Sequence, residues 1–159
     1  MQSLINIDQQ VFSWFNSLVG LNQVLDWVIK VVSVYAVYTV PFIMLFFWFY
    51  KKTEERQNFL MNLFISVMIS WQIIAKYLGE WINRSRPDTF AGTKEVLFHP
   101  PSYSFPSDHA LFFAFITAYL YLGGYKKMGN IALAVSISVS LFRVIGGFHW
   151  PGDILAGWI

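Results

Sequence analysis

A chain of 159 residues is long enough for one domain, and this one is 56% hydrophobic and 19% aromatic but only 13% charged, where soluble domains average about 25% charged. It has no cysteine and a net charge of +2, which excludes disulfides, thiol nucleophiles and cysteine metal clusters and leaves no basic surface suited to nucleic acid. Four uncharged runs, at 31–50, 57–75, 110–125 and 128–142, are too long for a soluble core. A bilayer core takes about 20 apolar residues per helix, and as few as about 17. The first two runs reach that length and the last two fall slightly short. The prediction is a single all-α domain over 1–159, an integral-membrane helical bundle of about four full spans and the start of a fifth. The N-terminus has no basic start followed by an apolar segment and a cleavage site, so no cleaved signal peptide is predicted.

Residues 1–23 contain no Lys or Arg. Leu4, Val11, Phe12, Trp14, Phe15, Leu18 and Val19 make an approximate helical stripe. It predicts an amphipathic helix, either lying in the membrane interface or packing on the bundle. A break is expected at 22–26. Span one follows at about 27–50, with a kink expected at Pro41. The charged loop 51–56 leads into span two, about 57–82, which gathers Gln72, Lys76, Glu80 and Asn83 near its end. Residues 83–105 form one long loop with Pro87, Pro100 and Pro101; a loop of that length is usually functional or disordered. Span three runs from Pro106 to Gly123 and Gly124. A basic turn at 125–130 leads to span four, about 129–145. A fifth helix begins near Pro151 and reaches only Ile159, so a further C-terminal span is expected beyond it.

Parity puts loops 51–56 and 125–130, with five Lys and Arg between them, on one face. The N-terminal segment, loop 83–105 and turn 144–153 share the other. The positive-inside rule then places the second face outside the cell.

That outer face collects the residues with chemistry. Ser107 suits a helix cap and Pro106 a helix start, so the amides of Ser107, Asp108 and His109 would form an anion site at the N-terminus of span three. The Ser107 hydroxyl is a further donor, and His109 sits where it can give a proton. A capped helix with an incidental histidine would carry the same letters. Arg84 and Arg86 close span two; Arg84 reads as an interfacial anchor, and Arg86, fixed by Pro87, as functional. Lys76 lies deeper, where an amine needs a bound anion or a partner, and Glu80 four residues on offers one. In the segment F-R-V-I-G-G-F-H-W-P-G-D at 142–153, Arg143 can clamp an anion and His149 can attack or accept a proton. Asp153 can hold the far ring nitrogen of His149. Gly146 and Gly147 permit close approach of a ligand, and Trp150 reads as an interface anchor. The remaining histidine, His99, has no partner visible in the sequence.

Arg86-Pro87, Pro106-Ser107-Asp108-His109 and Arg143-x5-His149-x3-Asp153, in that order and between those spans, resemble the type 2 phosphatidic acid phosphatase superfamily of membrane lipid phosphatases. Its signature is K-x6-R-P, P-S-G-H and S-R-x5-H-x3-D. Within it, the P-S-D-H variant and the N-terminal segment look most like undecaprenyl-diphosphate phosphatases of the bacitracin-resistance type. Three positions depart from the signature. Gly79 stands where the lysine is expected, with Lys76 one helical turn deeper. Phe142 replaces the serine before Arg143. Asp108 replaces a glycine, and its carboxylate would have to point away from a bound anion, capping the helix, or else selectivity changes.

The resemblance implies a catalytic set of His149 as nucleophile, His109 as acid and Asp153 as the group orienting His149. It implies a phosphate-binding segment of Arg86, Ser107, Arg143, Lys76 and Asp108, with no metal and no cofactor. The substrate would be an isoprenoid or glycerolipid phosphate, and the location the cell membrane with the site facing out. Undecaprenyl diphosphate is the expected substrate, and phosphatidylglycerol phosphate or phosphatidate the alternative. A vanadate-dependent haloperoxidase shares the anion pocket and the histidine, but those relatives are soluble. A lipid-binding or transport protein without activity is the reading from a different class; the presence of both His109 and His149 argues against it.

Overall fold

Helices begin where the sequence supplies caps. The computed structural model describes residues 2–50, 52–98 and 102–159. His99, Pro100 and Pro101 of the predicted loop and Lys51 of the charged loop lie outside these. The first helix, α1, is Gln2–Asn16. Asn22 caps α2, Gln23–Phe49, its side-chain oxygen accepting from the Val24 amide at 2.7 Å,. The break expected at 22–26 therefore lies earlier, at 17–22. Residues 23–26 are already the first turn of α2, where Asp26 reaches back to the Gly20 amide at 3.0 Å.

Thr53 caps α3, residues 54–82, with Glu54 and Glu55 in the first turn, where negative charge complements the helix dipole. Half of the predicted charged loop is thus helix. The helix ends at Asn83, in the left-handed region at φ 49°, a conformation asparagine tolerates. Helix α4 is Asp108–Leu122, capped by Ser107. The turn after it needs only Gly123, Gly124 and Tyr125, because Gly124 takes φ 80°,. Lys126 and Lys127, expected in the turn, open α5, Lys126–Ile145. Helix α6 is Pro151–Trp158, with proline in its first turn,. Among the described residues there is no strand.

Helices α2, α3 and α5 are long and apolar enough to cross a membrane. Helix α4 has 15 residues, about 22 Å at 1.5 Å per residue, short of a hydrocarbon core of about 30 Å. The four full spans expected from the sequence are thus three, with a shorter fourth. Helix α4 is nonetheless the hub, packing against α3, α5 and α6. Phe112, Phe113 and Ile116 meet Val37, Leu63, Val67 and Val139 in the largest apolar core. Phe42, Phe46, Trp81 and Leu122 face outward, as a lipid-facing surface requires.

Two π turns interrupt the spans, at Val31–Tyr35 in α2 and Ser70–Ala75 in α3. Pro41 lies inside the helical stretch Ala36–Phe49, after the first π turn. Such turns widen the helix and take a carbonyl out of its regular pairing. The Ser33 carbonyl, in the first of them, accepts from Arg143 at 3.5 Å.

Helix α1 packs on α5 and α6. Its Phe12 joins Ala110, Val144, Trp150 and Ile154 in a second core, while Leu4, Ile7, Val11 and Trp14 remain exposed. It therefore packs on the bundle and keeps an apolar outer face. Trp150, expected as an interface anchor, is buried. Its ring packs against Phe12 and Phe90, and its indole N–H donates to the Ser85 carbonyl at 2.9 Å. It is an interior strut between the loop after α3 and the start of α6.

Candidate active site

His149 sits in the short connection between α5 and α6 and is 1% exposed. Its Nδ1 lies 2.8 Å from the Ser104 carbonyl oxygen. A carbonyl only accepts, so Nδ1 carries the proton. Its Nε2 lies 2.9 Å from Arg143 Nη2 and 3.2 Å from Arg86 Nη1. Guanidiniums only donate, so Nε2 keeps its lone pair. The ring is neutral, with the lone pair of Nε2 aimed between two cations. Burial first, and the Arg143 cation next, pushes the His149 pKa down to about 4, which agrees with that tautomer.

Both arginines are built into the walls. Arg86 is held by the Phe148 carbonyl at 2.7 Å and the Ser102 hydroxyl at 2.9 Å. Arg143 stacks on the Phe148 ring, 4.5 Å from its centroid. Its Nε is buried without a hydrogen-bond partner among the described residues.

Asp153 is fully buried, but it does not hold the histidine as expected. Its Oδ2 is 3.8 Å from His149 Nδ1, beyond hydrogen-bond length. Asp153 falls in the first turn of α6 and folds back to accept the Trp150 amide at 3.0 Å. It also accepts from the Ser104 hydroxyl and from Arg84 Nη1 at 2.7 Å. Asp153 thus fixes Ser104, and the carbonyl of Ser104 fixes His149. Arg84, read from sequence as an anchor, in turn pairs with Asp8 of α1, whose other oxygen takes the Gly152 amide at 2.8 Å. Ser104, Arg84 and Asp8 are the site residues that sequence reasoning missed. The only signal was an uncompensated carboxylate in an otherwise neutral helix and an arginine next to the signature one.

The opposite wall is the start of α4. Ser107 is buried and caps the helix by accepting from the Ala110 amide at 3.5 Å; its hydroxyl hydrogen stays available to donate. The helix amides are less available than the sequence predicts. The Ser107 amide donates to the Asp153 carbonyl at 3.0 Å, and the His109 amide to Asp108 Oδ1 at 2.8 Å. The same Oδ1 lies 2.9 Å from His109 Nδ1 and 3.8 Å from both Arg143 Nη2 and His149 Nε2. The expectation that Asp108 points away is thus reversed: its carboxylate folds over the helix end and faces the site. An ionised carboxylate donates nothing to phosphate, so Asp108 is an anion of the site rather than a phosphate ligand.

Lys76 is not brought to the site. Its side chain is exposed, and it makes no hydrogen bond or ion pair with the described residues of the site or with Glu80. At the signature position, Gly79 is buried, and a Cβ there would stand 3.0 Å from the Phe105 carbonyl. The loop leading to Ser107 fills that space. Phe142 contributes packing against Val19, Ile29 and Ile145. The glycine pair also serves the protein rather than a ligand: Gly147 is at φ 84°, and a Cβ there would lie 2.7 Å from the Lys94 carbonyl. Close approach of loop 93–96 is what it permits.

The fold and the sequence have known counterparts. The sequence pattern of the PAP2 superfamily matches residues 59–159. The chain is 27% identical to the bacitracin transport permease protein BcrC of Bacillus licheniformis, over 98% of this chain and 74% of that one. It is 31% identical to an undecaprenyl-diphosphatase of Sulfolobus acidocaldarius, over 91% and 68%. In structure it is similar to a transmembrane PAP2 type phosphatidylglycerolphosphate phosphatase from Bacillus subtilis, with a TM-score of 0.70 and 25% identity, covering 99% of this chain and 80% of that one.

Proposed function

The chain belongs to the PAP2 superfamily, and from that premise we propose that it is a membrane phosphatase that removes the terminal phosphate of undecaprenyl diphosphate through a phosphohistidine. The observation that carries the reading is the environment of His149. Its Nδ1 is held by a carbonyl, and its Nε2 lone pair is presented between Arg86 and Arg143.

In this mechanism His149 Nε2 attacks the terminal phosphorus, and the bond from phosphorus to the bridging oxygen breaks. His109 gives a proton to the departing lipid phosphate. Water then attacks the phosphohistidine, with His109 now taking the proton, and inorganic phosphate leaves. Arg86, Arg143 and the Ser107 hydroxyl stabilise charge on the phosphoryl oxygens, which is the main task of a phosphoryl-transfer site. Asp153 stabilises the charge that develops on the His149 ring from 3.8 Å and holds Ser104 in place. No step requires a metal.

The likeness of the chain to a phosphatidylglycerolphosphate phosphatase supports that substrate as the second reading. Placement in the plasma membrane with the site facing out fits a lipid carrier used for wall synthesis, and the basic loops on the opposite face favour it. The test is phosphate release in detergent with EDTA, offering undecaprenyl diphosphate and phosphatidylglycerol phosphate side by side, with His149→Ala as control. Metal-independent release that the variant abolishes, faster on the diphosphate, is the expected result. Faster release from phosphatidylglycerol phosphate would transfer the assignment to it, and release from neither would end the phosphatase reading.

A further inference from the structure

The carboxylate of Asp108 occupies the position where the site has most to offer an anion. Its Oδ1 takes the His109 amide at 2.8 Å and His109 Nδ1 at 2.9 Å. It stands 3.8 Å from Arg143 Nη2 and 3.8 Å from the nucleophilic His149 Nε2. Its Oδ2 is 3.5 Å from the Trp71 indole nitrogen, which the π turn of α3 carries to this end of the bundle. An amide at a helix N-terminus, an arginine and the ring N–H of His109 are the donors a phosphoryl group would use, and His149 Nε2 is the atom it would meet. Here one oxygen of the chain's own carboxylate faces all of them.

We propose that Asp108 is a built-in competitor for the phosphoryl site, an internal anion that fills it when phosphate is absent and that inorganic phosphate must displace. A phosphorus atom in line with His149 Nε2 places its oxygens where Oδ1 now lies. Two anions cannot share those donors, so the carboxylate swings toward Trp71 when phosphate enters and returns when it leaves. A side chain that must be displaced taxes every phosphoryl ligand, and the tax falls on product as well as on substrate. For the substrate, contacts to the lipid offset it. Inorganic phosphate has no lipid contacts to offset the tax, so it is left weakly bound and leaves sooner. The 35% exposure of the Asp108 side chain leaves it room to move, whereas Arg143 and His149 are buried and stay where they are. A glycine at 108, as in the P-S-G-H form of the signature, has no such device.

The inference rests on the phosphatase reading of the site, but it is tested without turnover. The affinity of the purified protein for inorganic phosphate and for orthovanadate is measured by calorimetry, for the unaltered chain, Asp108→Gly and Asp108→Asn. An occupant present in roughly nine molecules in ten weakens a competing ligand about tenfold. Phosphate should therefore bind about tenfold more tightly to Asp108→Gly, with Asp108→Asn between the two. Equal or weaker binding in both variants overturns the proposal. A second measurement needs no substitution at 108. In protein labelled with 5-fluorotryptophan, the Trp71 resonance, assigned with Trp71→Phe, should shift as phosphate is added to the unaltered chain. A Trp71 signal that stays in place at saturating phosphate overturns the swing. The two readings fail separately. If the variants tighten on phosphate but no lipid phosphate is hydrolysed, the competitor stands and the phosphatase assignment falls. If lipids are hydrolysed but phosphate affinity is unchanged, the reverse holds.

Discussion

His149 and His109 both stand near Asp108 Oδ1 and are held by different means. His149 is buried against a backbone carbonyl, and that carbonyl belongs to a loop fixed by Asp153, Arg84 and Asp8. Every link behind it is a buried or half-buried polar contact between separate elements. His109 is held by the side chain of its own neighbour in sequence, Asp108, and is partly open. In the proposed mechanism His149 is a nucleophile that has to be aimed, and aim requires a rigid wall; His109 is a proton donor that serves two steps and a departing product, and tolerates a looser one. The His149 wall should therefore break over long distances when a remote contact is lost. The His109 wall should respond only to changes within it.

The largest effect separates the walls outright. On the proposed mechanism His149→Ala removes the nucleophile and should lower turnover at least about a thousandfold, with helix content by circular dichroism unchanged. His109→Gln should cost about a hundredfold to ten-thousandfold, the range for a lost general acid, and the phosphohistidine should still form. Trapping with radiolabelled substrate distinguishes the two. A phosphoenzyme in His109→Gln and none in His149→Ala is the expected pattern; label on His109 would exchange the roles.

The protonation of His149 tests the rigid wall from inside. With its pKa at about 4 in the folded protein against about 6.5 for a free histidine, the ring should stay neutral, with its proton on Nδ1, across the neutral range. The sign follows from linkage: a group depressed on folding favours the folded state above its unfolded pKa, and that contribution is lost as pH falls from about 6.5 toward about 4. Nitrogen-15 histidine NMR, with His149→Ala for assignment, should show one ring that titrates well below the normal range. A normal midpoint would mean that water reaches His149 and that the carbonyl does not hold it.

The remote contacts come next. Arg84→Met should lower kcat by about tenfold with KM little changed, because a misaimed nucleophile loses rate more than binding. Asp8→Asn should do the same by a few-fold, and the double variant should lose less than the product of the two, since both act through Asp153. Strict multiplication would make Asp8 an independent anchor of α1.

These remote residues mark the limit of what was legible in the sequence. Three of the four expected spans and the gathering of the motifs into one site followed from hydropathy and parity, because apolar length and charge are local properties of the chain. The signature residues Arg86, Ser107, His109, Arg143, His149 and Asp153 were legible for a different reason: their spacing resembles a known pattern. What failed was the assignment of partners. Asp153 four residues after His149 suggested a direct bond, yet the helix start turned it toward its own backbone, and a carbonyl from a loop 45 residues away took its place. Nothing local in the sequence announces a carbonyl acceptor. The π turns, which bring Trp71 and the Ser33 carbonyl to this end, were equally hidden, because no residue type requires them.

The smallest predicted effect concerns Lys76, which the signature would place with the phosphate-binding residues. The amine is exposed on α3, and the Phe105 carbonyl stands against Gly79, one turn further on, where a longer side chain would have entered the site. With that entrance filled by backbone, a lysine at 76 has no path to the phosphate, and the work falls to Arg86 and Arg143. Lys76→Met should therefore leave kcat/KM within about twofold, the scale of a surface change away from any built contact. The complementary variant, Gly79→Lys, should lower activity instead of restoring a signature, because its Cβ meets that carbonyl. If Lys76→Met instead lost activity on the scale of Arg84→Met, α3 would have to turn about its axis on binding substrate, and the His109 wall, which α3 touches through Trp71, would be the one that moves.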